Sequence, residues 1–215
     1  MASQRRGAFI VLEGLDRSGK STQAAALVSR LKTINGENSA KLMKFPDRTT
    51  TIGKMIDAYL RSQNELDDHT IHLLFSANRW ELVSAINADL AAGITIVCDR
   101  YAFSGCAFSA AKGLPYDWCI APDKGLPEPD LTVFLDLTPA VAKLRGGYGE
   151  ERYEKEELQR KVRVLFHSIG KQMKGGKWQE IDASSSIEEV EKAIWKHVEP
   201  FSDGCTSSIN GLWIE

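Results

Sequence analysis

Cysteine is sparse and unpatterned in this chain. The four present, Cys98, Cys106, Cys119 and Cys205, include no Cys-x-x-Cys pair and no disulfide framework, which reads as reduced thiols inside a cell and argues against a cysteine-held metal. No apolar run reaches the length needed to cross a bilayer, and Met-Ala-Ser-Gln-Arg-Arg-Gly leads straight into a first strand without a signal-peptide core. No membrane partner is expected, and the expected location is the cytoplasm, possibly also the nucleus by diffusion. An excess of either charge is also missing. The 27 Lys and Arg stand against 29 Asp and Glu, so there is no broad cationic face for nucleic acid, and a small anionic ligand held by a few local arginines fits better. With no internal repeat or low-complexity tract, 215 residues read as a single domain, 1–215, with a substantial core.

What is present is an alternation. Runs that read as buried parallel strands recur at Ala8–Leu12, Lys41–Phe45, Ile94–Cys98, Leu131–Leu137 and Trp178–Ile181, with helical stretches between them. Repeated βαβ units predict an α/β fold: a five-stranded parallel sheet surrounded by helices in three layers, with ligands at the carboxyl ends of the strands. After the first strand stands Gly14-Leu15-Asp16-Arg17-Ser18-Gly19-Lys20-Ser21, which satisfies G-x-x-x-x-G-K-[ST] where a strand turns into the helical run Gln23–Leu31. Such a loop aims backbone N–H groups at phosphate oxygens beside a positive helix end, with Lys20 reaching the β- and γ-phosphates and the Ser21 hydroxyl ligating magnesium. Phe45-Pro46-Asp47-Arg48 and Asp99-Arg100-Tyr101 follow the next two strands, so three polar clusters converge on one cleft.

Apolar residues Ile71, Leu74, Phe75, Trp80, Val83, Ile86 and Leu90 predict one long helix from about Asp68 to Leu90 with a buried face. Phe75 and Arg79, four apart on it, project to the same side. The glycine- and charge-rich segment from Arg145 to Tyr153, within a lid of about 145–154, precedes an amphipathic helix at about Glu154–Met173. In the tail, about 201–215, Leu212-Trp213-Ile214 is expected to dock on the domain surface. His69, His72, His167 and His197 form no base–nucleophile set and read as structural.

A P-loop alone is compatible with switch GTPases, motor ATPases and small-molecule kinases. The Asn-Lys-x-Asp element by which switch GTPases read guanine does not occur. Arg48 and Arg100, at strand ends, supply the planar forks that a second phosphorylated ligand needs, and two phosphate sites meeting end to end imply phosphoryl transfer.

Taken together, Leu12 to Gln23, Phe45-Pro46-Asp47-Arg48-Thr49, His72-Leu73-Leu74-Phe75-Ser76-Ala77-Asn78-Arg79-Trp80, Asp99-Arg100-Tyr101-Ala102-Phe103-Ser104-Gly105, Gly125-Leu126-Pro127-Glu128-Pro129-Asp130-Leu131 and Glu151-Arg152-Tyr153-Glu154 resemble the eukaryotic-type thymidylate kinases, nucleoside monophosphate kinases of the P-loop class. The resemblance runs from the first strand to about Ile194. It implies transfer of the γ-phosphoryl of ATP to dTMP, with Mg²⁺, by a homodimer whose interface includes the 68–90 helix. Another deoxynucleotide or pyrimidine monophosphate kinase, or a P-loop nucleotide-binding protein without transfer activity, are the alternatives.

The resemblance also implies roles. Phe75 stacks on thymine and Arg79 donates to its O4; a core role is the plain alternative for Phe75, and the arginine one turn on favours the stacking role. Arg48 and Arg100 hold the dTMP phosphate, with surface ion pairing the plain alternative. Tyr101 closes on the deoxyribose where a 2′-hydroxyl would project, or else packs under the sheet edge. Phe45, Ser104, Gly105 and Phe108 shape the rest of the acceptor pocket, Asp16 takes the sugar 3′-hydroxyl, and Tyr153 reaches in from the lid. Arg17, Lys20, Asp99 and Arg100 form the catalytic set, Arg17 doing from the P-loop what lid arginines do in other kinases. ATP lies along Arg17, Ser18, Gly19, Lys20, Ser21 and Thr22, with Arg145 and the Asp182-Ala183-Ser184 backbone at adenine. Ser21 and Asp99 hold the metal, unless Asp99 orients Arg100 or caps its strand. Glu13 either braces the P-loop or is explained by helix-end solvation.

Overall fold

The computed structural model describes residues 5–145, 151–173 and 175–214. Five strands, β1 (Phe9–Gly14), β2 (Ala40–Lys44), β3 (Thr95–Asp99), β4 (Leu131–Asp136) and β5 (Trp178–Asp182), form one sheet in the order β2-β3-β1-β4-β5, and every pairing is parallel. The expected strands are all present. Their burial follows position in the sheet: β1 and β3 are buried throughout, whereas Lys41, Leu42 and Lys44 of β2 are exposed, because an edge strand has a neighbour on one side only. The reading of β2 as a buried strand is corrected accordingly, and so is that of β5 at the other edge, where only Ile181 is buried.

Alternate residues of the central strand serve two cores. Ala8 and, within β1, Ile10 and Leu12 pack with Leu27, Val28 and Leu31 of α1 (Lys20–Asn35) and Val190, Ile194 and Val198 of α9 (Ile187–Val198). Phe9 and Val11 face the opposite layer, built from α2 (Thr51–Leu60), α3 (Asp68–Trp80), α4 (Val83–Ala91), α5 (Ala102–Ala111) and α8 (Glu156–Gln172). The short helices α6 (Tyr116–Ile120) and α7 (Pro139–Leu144) complete the set. This is the three-layer α/β/α P-loop architecture.

Two expectations need correction. The predicted helix 68–90 is two helices, with a break at Glu81 and Leu82. Leu82 N–H donates to Arg79 C=O at 3.2 Å in a three-residue turn. Beside it the Glu81 carboxylate accepts from Asn78 Nδ2 at 2.6 Å and Thr50 Oγ1 at 2.7 Å, so side-chain bonds to the loop before α2 hold the chain at the break. Ile71, Ile86 and Leu90 are buried as expected, but Trp80 is 40% exposed. The tail, in turn, does more than dock on a surface. Residues 210–212 run antiparallel to 125–128, with Leu212 N–H on Leu126 C=O at 2.7 Å and Gly125 N–H on Leu212 C=O at 2.9 Å. Leu212 is 0% exposed and belongs to the α5/α8 core, while Trp213 meets Phe103 edge-on at 5.7 Å.

At the opposite end of the sheet from the site, Arg6 grips Asp130 bidentately at 2.7 Å, and Asp130 also accepts from Phe9 N–H at 2.8 Å, which sets the start of β1 beside β4. Parallel register then brings Lys44, Asp99 and Leu12 level with one another, and Gly14 level with Leu135.

Burial of Leu212 predicts that Leu212→Ala lowers the unfolding free energy by about 2–5 kcal/mol, measured by urea unfolding; a change under about 0.5 kcal/mol would place the tail outside the cooperative core.

Candidate active site

The P-loop geometry follows from where its glycines stand. Gly14 has φ 152° and a Cβ there would lie 2.7 Å from Leu135 O, so only glycine lets the loop leave β1 against β4. Gly19, at φ 94°, starts α1, whose first N–H groups are thereby free to face a phosphate. Arg17 adopts φ 63°, which aims its side chain out of the loop, and its Nε lies 3.3 Å from the Glu154 carboxylate. Lys20 is buried, with Nζ donating to Leu15 O at 2.6 Å and Ser18 Oγ at 3.3 Å.

Asp99, at the end of β3, is 2% exposed. One oxygen, Oδ2, accepts from Ser21 Oγ at 2.5 Å and lies 3.7 Å from Lys44 Nζ; the other, Oδ1, is buried with no hydrogen-bond partner among the described residues. A carboxylate with an unsatisfied oxygen beside the P-loop serine is a donor set of the kind Mg²⁺ takes. Asp99 makes no bond to Arg100 among the described residues.

Arg100 takes the left-handed conformation at φ 71° and turns its guanidinium back over the P-loop, donating to Gly14 O at 2.9 Å and Ser104 Oγ at 3.0 Å and pairing with Asp16. Glu13 is fully buried and accepts from the N–H groups of Tyr101 at 2.9 Å and Ser104 at 3.0 Å. It is therefore the cap of α5, whose own N-cap residue makes no side-chain cap bond; being buried, it is not explained by helix-end solvation, and it ties the strand that leads into the P-loop to the β3–α5 turn. Burial pushes the Glu13 carboxyl up against these hydrogen bonds. Asp16 goes the other way; burial opposes its ionisation, but the charges of Arg100 and Lys20 and the amide of Gln159 outweigh that and hold it below the usual range.

These strand ends and α2, α3, α5 and the chain before α8 enclose a cavity of about 330 Å³. Of the anticipated site residues, Asp16, Arg17, Lys20, Ser21, Phe45, Arg48, Phe75, Arg79, Asp99, Arg100, Tyr101, Ser104, Gly105, Phe108 and Tyr153 line it. Arg48 is paired with Asp57 at 2.7 Å and Glu151 at 2.8 Å. Tyr101 is 1% exposed, with its ring between Phe9 and Phe45 and its hydroxyl on Pro127 O at 3.2 Å, so it packs under the sheet edge as well as facing the cavity. Tyr153 stacks on Phe108 with centroids 5.5 Å apart.

Ser18, Gly19, Thr22, Arg145, Asp182, Ala183 and Ser184 lie outside this cavity. Arg145 spans the last of these, donating to Arg17 O at 3.2 Å and Ala183 O at 2.5 Å, which joins the P-loop to the end of β5. Arg152 points elsewhere, onto Glu65 at 2.8 Å and Tyr59 O at 2.9 Å. Within the expected lid, 146–150 fall outside the described residues.

Sequence reasoning passed over three residues. Asp123 binds Arg79, Asn78 receives Asp47 N–H at 2.8 Å, and Gln159, 1% exposed, donates to Asp16 Oδ2 at 2.7 Å and Tyr153 O at 2.8 Å. Gln159 stands in an amphipathic helix among charged neighbours, so nothing local marks it. His72 is structural as expected, bonded to Ser109 Oγ at 2.7 Å and Cys119 O at 2.9 Å.

A thymidylate kinase family model matches residues 12–194. The thymidylate kinase of Schizosaccharomyces pombe is 55% identical over 196 residues, 90% of this chain and 92% of that one. The human thymidylate kinase is 50% identical over 191 residues, 88% of this chain and 89% of its own. Among solved structures, a thymidylate kinase from Candida albicans superposes with TM-score 0.87 at 40% identity, covering 97% of this chain and 99% of that one.

Burial, with the Arg100 charge beside it, lowers the Lys20 ammonium from 10.5 to about 7 against the pull of Asp99, Asp16 and Glu13. The unfolded chain keeps that proton to higher pH than the folded one, so between these values unfolding takes up a proton and stability rises with pH; below them the cost of burying the charge is felt in full. Lys20→Met is expected to be more stable than the wild-type chain by a few kcal/mol at about pH 6.5, with the gap closing towards about pH 10. Urea unfolding of both at several pH values, without nucleotide, checks this, and a pH-independent gap would refute it.

Proposed function

The chain belongs to the thymidylate kinase family, and from that membership we propose that it transfers the γ-phosphoryl of ATP to dTMP, giving ADP and dTDP by direct in-line displacement. The observation that carries this reading is one cavity shared by the P-loop Lys20 and by Arg48, Arg100, Phe75 and Arg79. Such a reaction needs no covalent intermediate; alignment of the two oxygens and neutralisation of charge on the transferred group do most of the work.

Lys20 and the N–H groups from Gly19 onward bind the donor phosphates. Arg145, between Arg17 O and Ala183 O, is placed to cover adenine, with Asp182, Ala183 and Ser184 beside it. On the acceptor side Arg48 and Arg100 hold the dTMP phosphate, Phe75 stacks on the base, Arg79 donates to O4, and Tyr101, Ser104, Gly105, Phe108 and Tyr153 close around base and sugar. Asp16 receives the 3′-hydroxyl. Ser21 and Asp99 would hold Mg²⁺, which supplies charge neutralisation at the phosphates when bound. Arg17 is the cation directed at the transferring phosphoryl.

Substrates displace carboxylates from these cations. Glu151 on Arg48 and Glu154 near Arg17 are anions at positions where phosphate oxygens belong, so binding exchanges one partner for another and leaves no arginine uncompensated. A homodimer fits the same reading: Leu73, on α3, is 48% exposed. The described residues contain no helix long and apolar enough to cross a membrane.

Two measurements test the activity. Lys20→Ala and Arg17→Gly are each expected to lower kcat by about 10²-fold or more, because their charge acts mainly in the transition state; unchanged turnover in both would reject their roles. A panel of monophosphates with ATP and Mg²⁺ held fixed is expected to show selective use of dTMP over UMP, CMP and AMP, and comparable turnover of these would sink the acceptor assignment. The panel matters because the Candida albicans thymidylate kinase is described as having broad substrate specificity.

A further inference from the structure

Arg79 reaches the cavity from α3 under unusual restraint. Its guanidinium is 2% exposed and its partner, Asp123, 0%. Asp123 Oδ1 accepts from Arg79 Nε at 3.2 Å and from Ser76 Oγ at 2.7 Å, and Oδ2 accepts from Arg79 Nη2 at 2.5 Å. That leaves Nη1 as the guanidinium nitrogen without a hydrogen-bond partner among the described residues. On the other side the fork lies against Gly105, where a Cβ would fall 2.8 Å from Nη2 and 3.1 Å from Nη1.

Asp123 is itself fixed. It ends the short 3-10 turn Ala121–Asp123, and one face of α3 holds that turn through Ser76 Oγ and Trp80 Nε1 on Pro122 O at 3.1 and 2.7 Å, with His72 on Cys119 O just before it. The carboxylate thus cannot follow the arginine if the arginine moves.

We propose that Asp123 is a specificity-determining positioning residue, which locks the Arg79 guanidinium by two of its nitrogens so that the third, Nη1, is held with its N–H donors directed at the acceptor base. The proposal rests on the reading of dTMP as acceptor. Arginine donates and never accepts. A fixed donor pairs with the carbonyl oxygen that thymine carries at position 4 and faces, in cytosine, an amino group that also donates. Discrimination follows from leaving a buried donor unpaired with the wrong base, and this requires that the guanidinium cannot turn aside to find another acceptor. A freely rotating arginine would discriminate less. Asp123 also neutralises the buried cation, so the site offers the base hydrogen-bond direction with little net charge.

The test compares kcat/KM for dTMP and dCMP in the wild-type enzyme, Asp123→Asn and Asp123→Glu, with KM for ATP and Tm measured on each. Asp123→Asn keeps the shape and removes the charge; Asp123→Glu keeps the charge and moves the carboxylate by one methylene, and carries the test when the asparagine variant does not fold. The expected result is a rise in KM for dTMP of about tenfold, a fall in the dTMP-over-dCMP ratio of about tenfold or more, and a KM for ATP within about twofold of wild type. A merely structural role would move Tm, or both KM values together, without changing the ratio. Wild-type discrimination retained in a folded variant overturns the proposal; a wild-type enzyme that does not prefer dTMP overturns the acceptor reading beneath it.

Discussion

Glu13 is the contact on which the geometry of the site depends. It is the last side chain of β1 before the P-loop glycine, it is fully buried, and its carboxylate caps the N-terminus of α5 through Tyr101 and Ser104. One short side chain therefore ties the phosphate loop to the turn that carries Arg100. The turn is left-handed at Arg100, a conformation that costs free energy outside glycine and persists when its surroundings over-determine it. Capping bonds to the buried carboxyl group of Glu13 provide that determination. Arg100 in turn reaches Gly14 O and Asp16, so the loop and the turn are joined twice, once beneath the strand ends and once above them.

The rest of the site solves one electrostatic problem, that of assembling cations for two anionic substrates at one set of strand ends. Each arginine facing the cavity is set against a carboxylate: Arg79 against Asp123, Arg100 against Asp16, Arg48 against Asp57 and Glu151, Arg17 against Glu154. These pairs divide by burial. The Arg79 pair is inaccessible and set to position, whereas Glu151 on Arg48 and Glu154 on Arg17 belong to the segment just before α8. Lys20 has no such ion pair among the described residues, and its ammonium is depressed to about 7, which bound phosphate would reverse.

Much of this was legible in the chain because it is local. Strand runs, the P-loop spacing and the Phe75–Arg79 interval all depend on residues within a few positions of one another, and the five strands and the phosphate loop follow from them, whereas the rest of the cavity-lining set is what the family resemblance implies. The readings that failed were those decided by distant partners. The apolar period across 68–90 does not reveal a break, since what holds the break is a bond from Glu81 to Thr50, 31 residues away. Leu212 reads as a surface contact until Leu126 is seen to pair with its backbone.

The sequence by itself pointed to the class of chemistry: glycines where a strand must turn into a helix, with a lysine and a serine after them, mark a nucleotide phosphate site, and arginines at strand ends supply the forks that a second phosphorylated ligand needs. The tertiary structure decided how each cation is aimed. Asp123, Gln159 and Glu13 carry no motif that predicts their partners, yet they set the orientation of Arg79, Asp16 and the Arg100 turn. Their effect depends on the cost of leaving a buried charge or donor unpaired, and that cost exists only once folding has excluded water from around them.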